Sequence, residues 1–381
     1  MHGKGEKERR ARSVRAGLHA KPAELWRLIE RDPVAADRLL WMMVASYGLS
    51  LVAFLRLAGL GLPSAFRFTV LDSLPFAIAT VFGGAILFYL LRLVAVVRPS
   101  SPFASIRRDA VRLFRAPQPM LPVLWLLLLM AMFTSVFSAW KAMIPQLQPF
   151  AWDPFFAELD RRLHGGMDPW RYTHAVFSHA AATWFINVLY HLWFFVMHFS
   201  VIWVASQRGN AQLRLQYLIS FFLSWIIAGT VFAVWFSSAG PCYFDRVTLL
   251  ASPYADLMQL LQSQNAQYPV WALQVQEMLW TNHIHGGGGV TSAISAMPSM
   301  HVGTSFLLVM LAHRYGSLRG LLCAAAFFIS ILVGSVHLGW HYAVDGYAAV
   351  LIVLPIWWIA GCLATYRLRH LDDEGVKQDR R

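Results

Sequence analysis

The amino-acid sequence predicts an all-α, polytopic membrane protein with about eight transmembrane helices. Three observations carry this. Of 381 residues, 57% are hydrophobic and 14% are charged, against roughly 25% charged in soluble domains, and the mean hydropathy is +0.49. Apolar stretches near the bilayer-spanning length of about 20 residues recur along the chain. Basic residues crowd into alternate connecting segments, the pattern that orients membrane helices. These features exclude an ordinary soluble enzyme, a disordered chain and a secreted disulfide scaffold. The three cysteines, Cys242, Cys323 and Cys362, are scattered and imply neither a disulfide framework nor a zinc site.

The elements follow in order. Residues 1–38 carry ten Lys or Arg and read as a basic cytoplasmic tail, solvated or resting on anionic headgroups. No apolar run with a cleavage site marks them as a signal peptide. The stretches 39–60 and 68–97 are two N-terminal spans, and with the loop that follows they occupy 39–116. Six further stretches lie within 117–366: 119–140, 181–205, 215–238, 299–313, 319–338 and 344–366. The fourth of these is short. Residues 367–381 form a second cytoplasmic tail. No internal repeat is evident.

The net charge is +12. With the N-terminus inside, 24 of the 32 basic residues fall on inside segments, and Arg67, Lys141, Arg161, Arg162, Arg171 and Arg246 fall outside. This places both termini in the cytoplasm. It also accounts for the basic character without nucleic acid, because the charges are spread over successive loops rather than gathered in one patch. The expected partners are the lipid bilayer and a membrane lipid substrate. The residue usage suggests a bacterial inner membrane, with the long outside loops in the periplasm.

Two outside loops are long, 141–180 and 239–298. In the first, Phe155, Phe156, Leu159 and Leu163 share one helical face and predict an amphipathic helix lying on the membrane. In the second, 252–280 has helical spacing with sparse charge, and the glycine run 286–289 is a flexible link.

Fourteen histidines are many. His2, His19, His313 and His370 read as solvated, and His174, His179, His283 and His285 belong to outside loops. His191 and His198 lie seven apart within a span, on one face, where an ionisable group raises a functional hypothesis. Two segments carry more. In Pro298-Ser299-Met300-His301, Pro298 fits the first helical position. The free amides of Ser299, Met300 and His301 then suit a phosphate, with the Ser299 hydroxyl as an added donor. In His341-Tyr342-Ala343-Val344-Asp345, His341 and Asp345 are four apart and share a helix face. A carboxylate there can hold one imidazole nitrogen and leave the other free to attack. By the charge-based topology both segments lie at the outer membrane boundary.

Pro298 to His301 resembles the Pro-Ser-x-His motif of the type 2 phosphatidic acid phosphatase superfamily, and His341 to Asp345 resembles its His-x-x-x-Asp motif. The segments 153–169 and 238–247 resemble elements of its inositol phosphorylceramide synthase-like, inositolphosphotransferase branch. The resemblance covers roughly 117–366. It implies a six-helix phosphatase-type catalytic core and phosphoryl transfer through a phosphohistidine. His341 would be the nucleophile, Asp345 its orienting partner, and His301 the acid and then the base. No metal and no cofactor are required. The family's usual Ser-Arg before the second motif is replaced by Gly334 and Ser335, and its Lys-x6-Arg-Pro element is not evident. The loss of Ser-Arg favours transfer of a phospho-head-group over hydrolysis of a lipid phosphate. Spread phosphoryl charge needs donors, so Lys141, Arg161 and Arg246, with Ser299, become the expected phosphate-binding residues.

Two rival readings remain. His337 and His341, with Asp345, form a possible metal set of a membrane di-iron oxygenase. Eight spans also suit a lipid transporter whose histidines line a route.

Overall fold

The computed structural model describes residues 37–61, 86, 89–90, 93, 97–115, 121–207, 209–285 and 293–378. Most of the basic tail 1–38, most of the stretch 68–97, the glycine link 286–289 and residues 379–381 lie outside the described residues.

The described chain is helical. Six helices are long and apolar enough to cross a membrane, and they coincide with six of the eight expected stretches. They are α1 (Arg38–Leu57), α3 (Leu121–Leu147), α6 (Ala180–Ser206), α7 (Ala211–Ile226), α11 (Leu318–His337) and α12 (Ala343–Gln378). Helix α7 continues through a π turn at Ile227–Phe232 to Trp235. The short stretch becomes α10 (Met300–Tyr315). Its 16 residues give a length of about 24 Å at 1.5 Å per residue, less than a hydrocarbon core of about 30 Å. It packs against α7, α11 and α12. The other helices are α2 (Pro102–Arg115), α4 (Asp153–Leu163), α5 (Pro169–Val176), α8 (Ala255–Asn265) and α9 (Trp271–His285).

Packing follows helical periodicity. Helix α1 buries Leu40, Val44, Tyr47, Leu51 and Leu55, a stripe of three- and four-residue steps, against α3 and α7. The Tyr47 and Thr230 hydroxyls bond across it at 2.6 Å. Polar side chains add interhelical bonds where lipid supplies no hydrophobic drive. Trp193 Nε1 donates to Thr304 Oγ1 at 2.9 Å, and Gln216 Nε2 donates to the Trp357 carbonyl at 3.0 Å.

One ion pair changes the charge reading. Arg214 donates two hydrogen bonds to Asp37, Nη1 to Oδ1 at 2.7 Å and Nη2 to Oδ2 at 2.9 Å, with both side chains buried. Arg214 also donates through Nε to the Ala205 carbonyl. The charge count placed Arg214 on an inside segment between two spans. Its side chain clamps the start of α1 to the start of α7, because a guanidinium fork matches a carboxylate bidentately.

The N-termini of α6, α10 and α12 and the C-termini of α3, α7 and α11 gather at one end. The polar helices α4, α5, α8 and α9 cover it. Gln276 Nε2 reaches the Leu338 carbonyl at 3.0 Å, Asn187 Oδ1 accepts from Ala272 N at 3.1 Å, and Arg171 pairs with Asp256 at 3.2 Å.

Candidate active site

Residues 338–342 join α11 to α12, and backbone groups hold them. The Ser335 carbonyl accepts from both Trp340 N and His341 N at 3.0 Å, and the Gly339 carbonyl accepts from Cys242 N at 3.0 Å. Gly240 lies against this loop at φ +101°. A Cβ there would stand 2.5 Å from the Trp340 carbonyl oxygen, so glycine is required by both conformation and space.

His341 and Asp345 meet, although His341 stands in the loop two residues before α12 and does not share a helix face with Asp345 as expected. His341 Nδ1 lies 3.2 Å from Asp345 Oδ2, which also accepts from Tyr342 N at 3.1 Å. His341 is 7% exposed and Asp345 is fully buried. Burial pushes the His341 imidazole down to about 3, with the Lys141 ammonium adding to the depression and a hydrogen bond to the Ala296 backbone opposing it. The ring is therefore neutral at ordinary pH, the form that attacks.

His301 lies across from it, with the two ring centroids 6.1 Å apart. Its imidazole stacks on Tyr190, at 4.5 Å and 15°, and meets Trp193 at 3.9 Å and 36°. The α10 N-terminus differs from expectation. Ser299 is the cap, its Oγ accepting from Val302 N at 3.4 Å, so Pro298 stands one residue before the cap and not at the first helical position. Ser299 is fully buried. Its amide, expected to be free, donates to the Asp345 carbonyl at 3.1 Å.

The two histidines open into a cavity of about 660 Å³ between α3, α6, α7 and α10. His301, His341, Lys141, Tyr190 and Trp340 line its polar end, and Phe133, Phe137, Phe194, Met197 and Phe221 are among its apolar walls. Thus Lys141 shares the cavity with both histidines. Ser299, Arg161 and Arg246 are not among its lining residues. Arg161 is exposed on the last turn of α4. Arg246 pairs with Glu277 at 2.8 Å and lies over the Trp280 ring at 5.2 Å. His191 and His198 both line the cavity, each with Nδ1 bonded at 2.8 Å to a carbonyl four residues earlier in its own helix.

Sequence reading missed the inward face of α4. The expected apolar face is split, with Phe156 buried but Phe155 53% and Leu163 59% exposed. The face turned inward carries Asp153, Phe156, Ala157 and Asp160. Asp160 accepts from Ala343 N at 2.7 Å and Val344 N at 2.9 Å, capping α12 from a distant helix. Asp153 accepts from Ala239 N, Gly240 N and the Tyr342 hydroxyl. Burial pushes the Asp160 carboxyl up to about 7 against the two amides that lower it, and burial likewise raises Asp153 against its donors. The seven-residue spacing of these two acids, which puts them on one helix face, was the available signal.

His337 also departs from the metal reading. Its Nδ1 lies 3.1 Å from Thr173 Oγ1 and its Nε2 lies 2.9 Å from Thr183 Oγ1. Its ring stacks on His174 at 3.6 Å. Both ring nitrogens are thus engaged. Among the described residues, no three His, Cys, Asp or Glu side chains converge as a metal site.

No curated protein and no solved structure matches the chain. The sequence pattern of the PAP2 superfamily matches residues 154–359, more than half of the chain and a span that includes His301, His341 and Asp345. The chain belongs to the PAP2 superfamily, as an integral membrane protein.

Proposed function

We propose that this protein is a lipid phosphotransferase that works through a phosphohistidine at the extracytoplasmic face of the membrane. One observation carries the reading: a neutral, carboxylate-held histidine faces a second histidine at the polar end of an apolar cavity with a lysine in its wall. Members of the PAP2 superfamily are generally phosphatases or phosphotransferases, which supports the same chemistry.

The steps follow from the residues. The lipid chain lies in the apolar part of the cavity and its phosphate beside Lys141. His341 Nε2 attacks phosphorus, the bond from phosphorus to the leaving oxygen breaks, and His301 delivers a proton to that oxygen. Asp345 holds the Nδ1 proton and stabilises the charged ring. An acceptor alcohol then attacks the phosphohistidine while His301 takes its proton back, and His341 is released. Lys141 offsets phosphoryl charge in both steps. Arg161, Arg246 and Ser299, being outside the cavity lining, act on the phosphate only indirectly in this scheme. Gly334 and Ser335, in place of Ser-Arg, favour an alcohol acceptor in the manner of the inositol phosphorylceramide synthase-like branch. Both termini are taken as cytoplasmic on the charge asymmetry.

The test is a mass-spectrometric lipid profile of cells expressing wild type or His341→Ala at matched levels, with phosphohistidine trapping from labelled lipid. A head-group lipid made only by wild type is the expected result. Loss of a lipid phosphate with no new lipid would make the enzyme a phosphatase. Identical profiles with no trapped label would overturn the reading.

A further inference from the structure

Four residues that line the cavity, Ser138, Tyr190, Trp225 and Trp340, carry a buried side-chain donor without a hydrogen-bond partner among the described residues, and two of them belong to the ring stack beside His301. The Tyr190 hydroxyl and the Trp340 indole Nε1 are buried and without a hydrogen-bond partner among the described residues. Tyr190 is 4% exposed. Buried donors are nearly always paired, and leaving one unpaired is costly. An unpaired donor on a cavity wall therefore marks a place where a ligand accepts.

Their position says which part of the ligand. The Tyr190 ring lies parallel to the His301 ring at 4.5 Å, and the Trp340 ring lies parallel to Tyr190 at 6.4 Å and 11°. Trp340 directly precedes His341 in the chain. Both residues line the same cavity as His301, His341 and Lys141. Gly334 makes the packing possible, since a Cβ there would meet Tyr190 Cδ2 at 3.2 Å. Thus the glycine admits the tyrosine ring to the wall between α6 and α11.

We propose that the Tyr190 hydroxyl and the Trp340 indole N–H bind the non-bridging oxygens of the phosphoryl group, beside the Lys141 ammonium. This rests on the phosphohistidine reading. A phosphoryl group in transfer spreads its charge over three such oxygens, and three donors then share them: one charged and two neutral. Neither aromatic donor gives up its proton, so the atom balance of both half-reactions is unchanged. Their work is electrostatic, aimed where charge develops.

The test uses the purified full chain as wild type, Tyr190→Phe and Trp340→Phe. Thermal midpoints are read with and without orthovanadate, a mimic of the transferring phosphoryl group, and turnover is read with phosphatidic acid. Tyr190→Phe removes only an unpaired hydroxyl and should melt no lower than wild type without ligand. Its orthovanadate shift should shrink, and kcat should fall about 10²-fold with KM little changed. Trp340→Phe should act in the same direction. A full orthovanadate shift in both variants overturns the proposal and leaves the phosphohistidine reading standing. So does a clearly lower ligand-free midpoint for Tyr190→Phe, because the hydroxyl would then be serving the fold. If phosphatidic acid is not turned over, the orthovanadate shift alone decides. If wild type shows neither shift nor turnover, and no phosphohistidine is trapped, both ideas fall together.

Discussion

The backbone N–H of Ser299 donates to the carbonyl oxygen of Asp345 across 3.1 Å. This bond ties the cap of the helix that carries His301 to the first turn of the helix that carries Asp345. The two motifs are about 40 residues apart in sequence, yet the distance between their histidines is set by main-chain geometry. Side-chain variants at Asp345 should therefore alter chemistry more than architecture.

Asp345→Asn tests that separation. The amide keeps its size and can still accept from Tyr342 N, but it cannot stabilise a charged His341. The expected kcat is about 10³- to 10⁴-fold below wild type, with the thermal midpoint within a few degrees of wild type and little trapped phosphohistidine. Wild-type turnover in this variant would remove Asp345 from the mechanism.

The pH dependence has a definite sign. His341 is held down to about 3, against an ordinary value of about 6.5. Between those values the unfolded chain binds a proton that the folded chain does not. Its contribution to stability is therefore present above about pH 6.5 and is lost as pH falls toward 3. Activity follows the same ring: no acid limb with a midpoint near 6.5 should arise from the free nucleophile. A profile of kcat/KM from pH 4 to 8 checks this: an acid limb near 6.5 would overturn it, whereas the acid role of His301 shows only as a fall toward alkaline pH that is lost when His301 is replaced.

The Arg214–Asp37 clamp predicts a stability effect remote from the site. Asp37→Asn or Arg214→Met leaves one buried charge without its partner, at a cost of about 3–5 kcal/mol. Replacing both, as Asp37→Leu with Arg214→Met, should recover much of that loss. Thermal melts of the three variants in detergent give the comparison, and a double variant whose loss equals the sum of the two single losses would show that the residues act independently.

Gly240→Ala presses a methyl group into the Trp340 carbonyl in a backbone region that costs alanine about 1 kcal/mol or more. The loop that yields is the one preceding His341. Turnover should thus fall further than stability does. A variant that melts lower but retains wild-type turnover would show that the loop absorbs the strain elsewhere.

The sequence by itself determined the class of protein and the location of its helices. Six spans are legible because each is a long apolar run, and hydropathy is a local property of the run. The pairing of His341 with Asp345 is legible only in part: four-residue spacing keeps them near, but His341 stands in the loop before α12, and the fold of that loop makes the contact. Tertiary structure decided the remainder. It turned Asp153 and Asp160 inward although α4 also carries an apolar face, because buried amides at 239, 240, 343 and 344 needed acceptors. It gave Arg214 a buried partner 177 residues away, turned the Ser299 hydroxyl to a helix cap, and brought Tyr190, Trp193 and Lys141 to His301. A sequence pattern shows which groups must be satisfied; in a low-dielectric interior, where an unpaired polar group is costly, only the packed chain determines which distant partner satisfies each one.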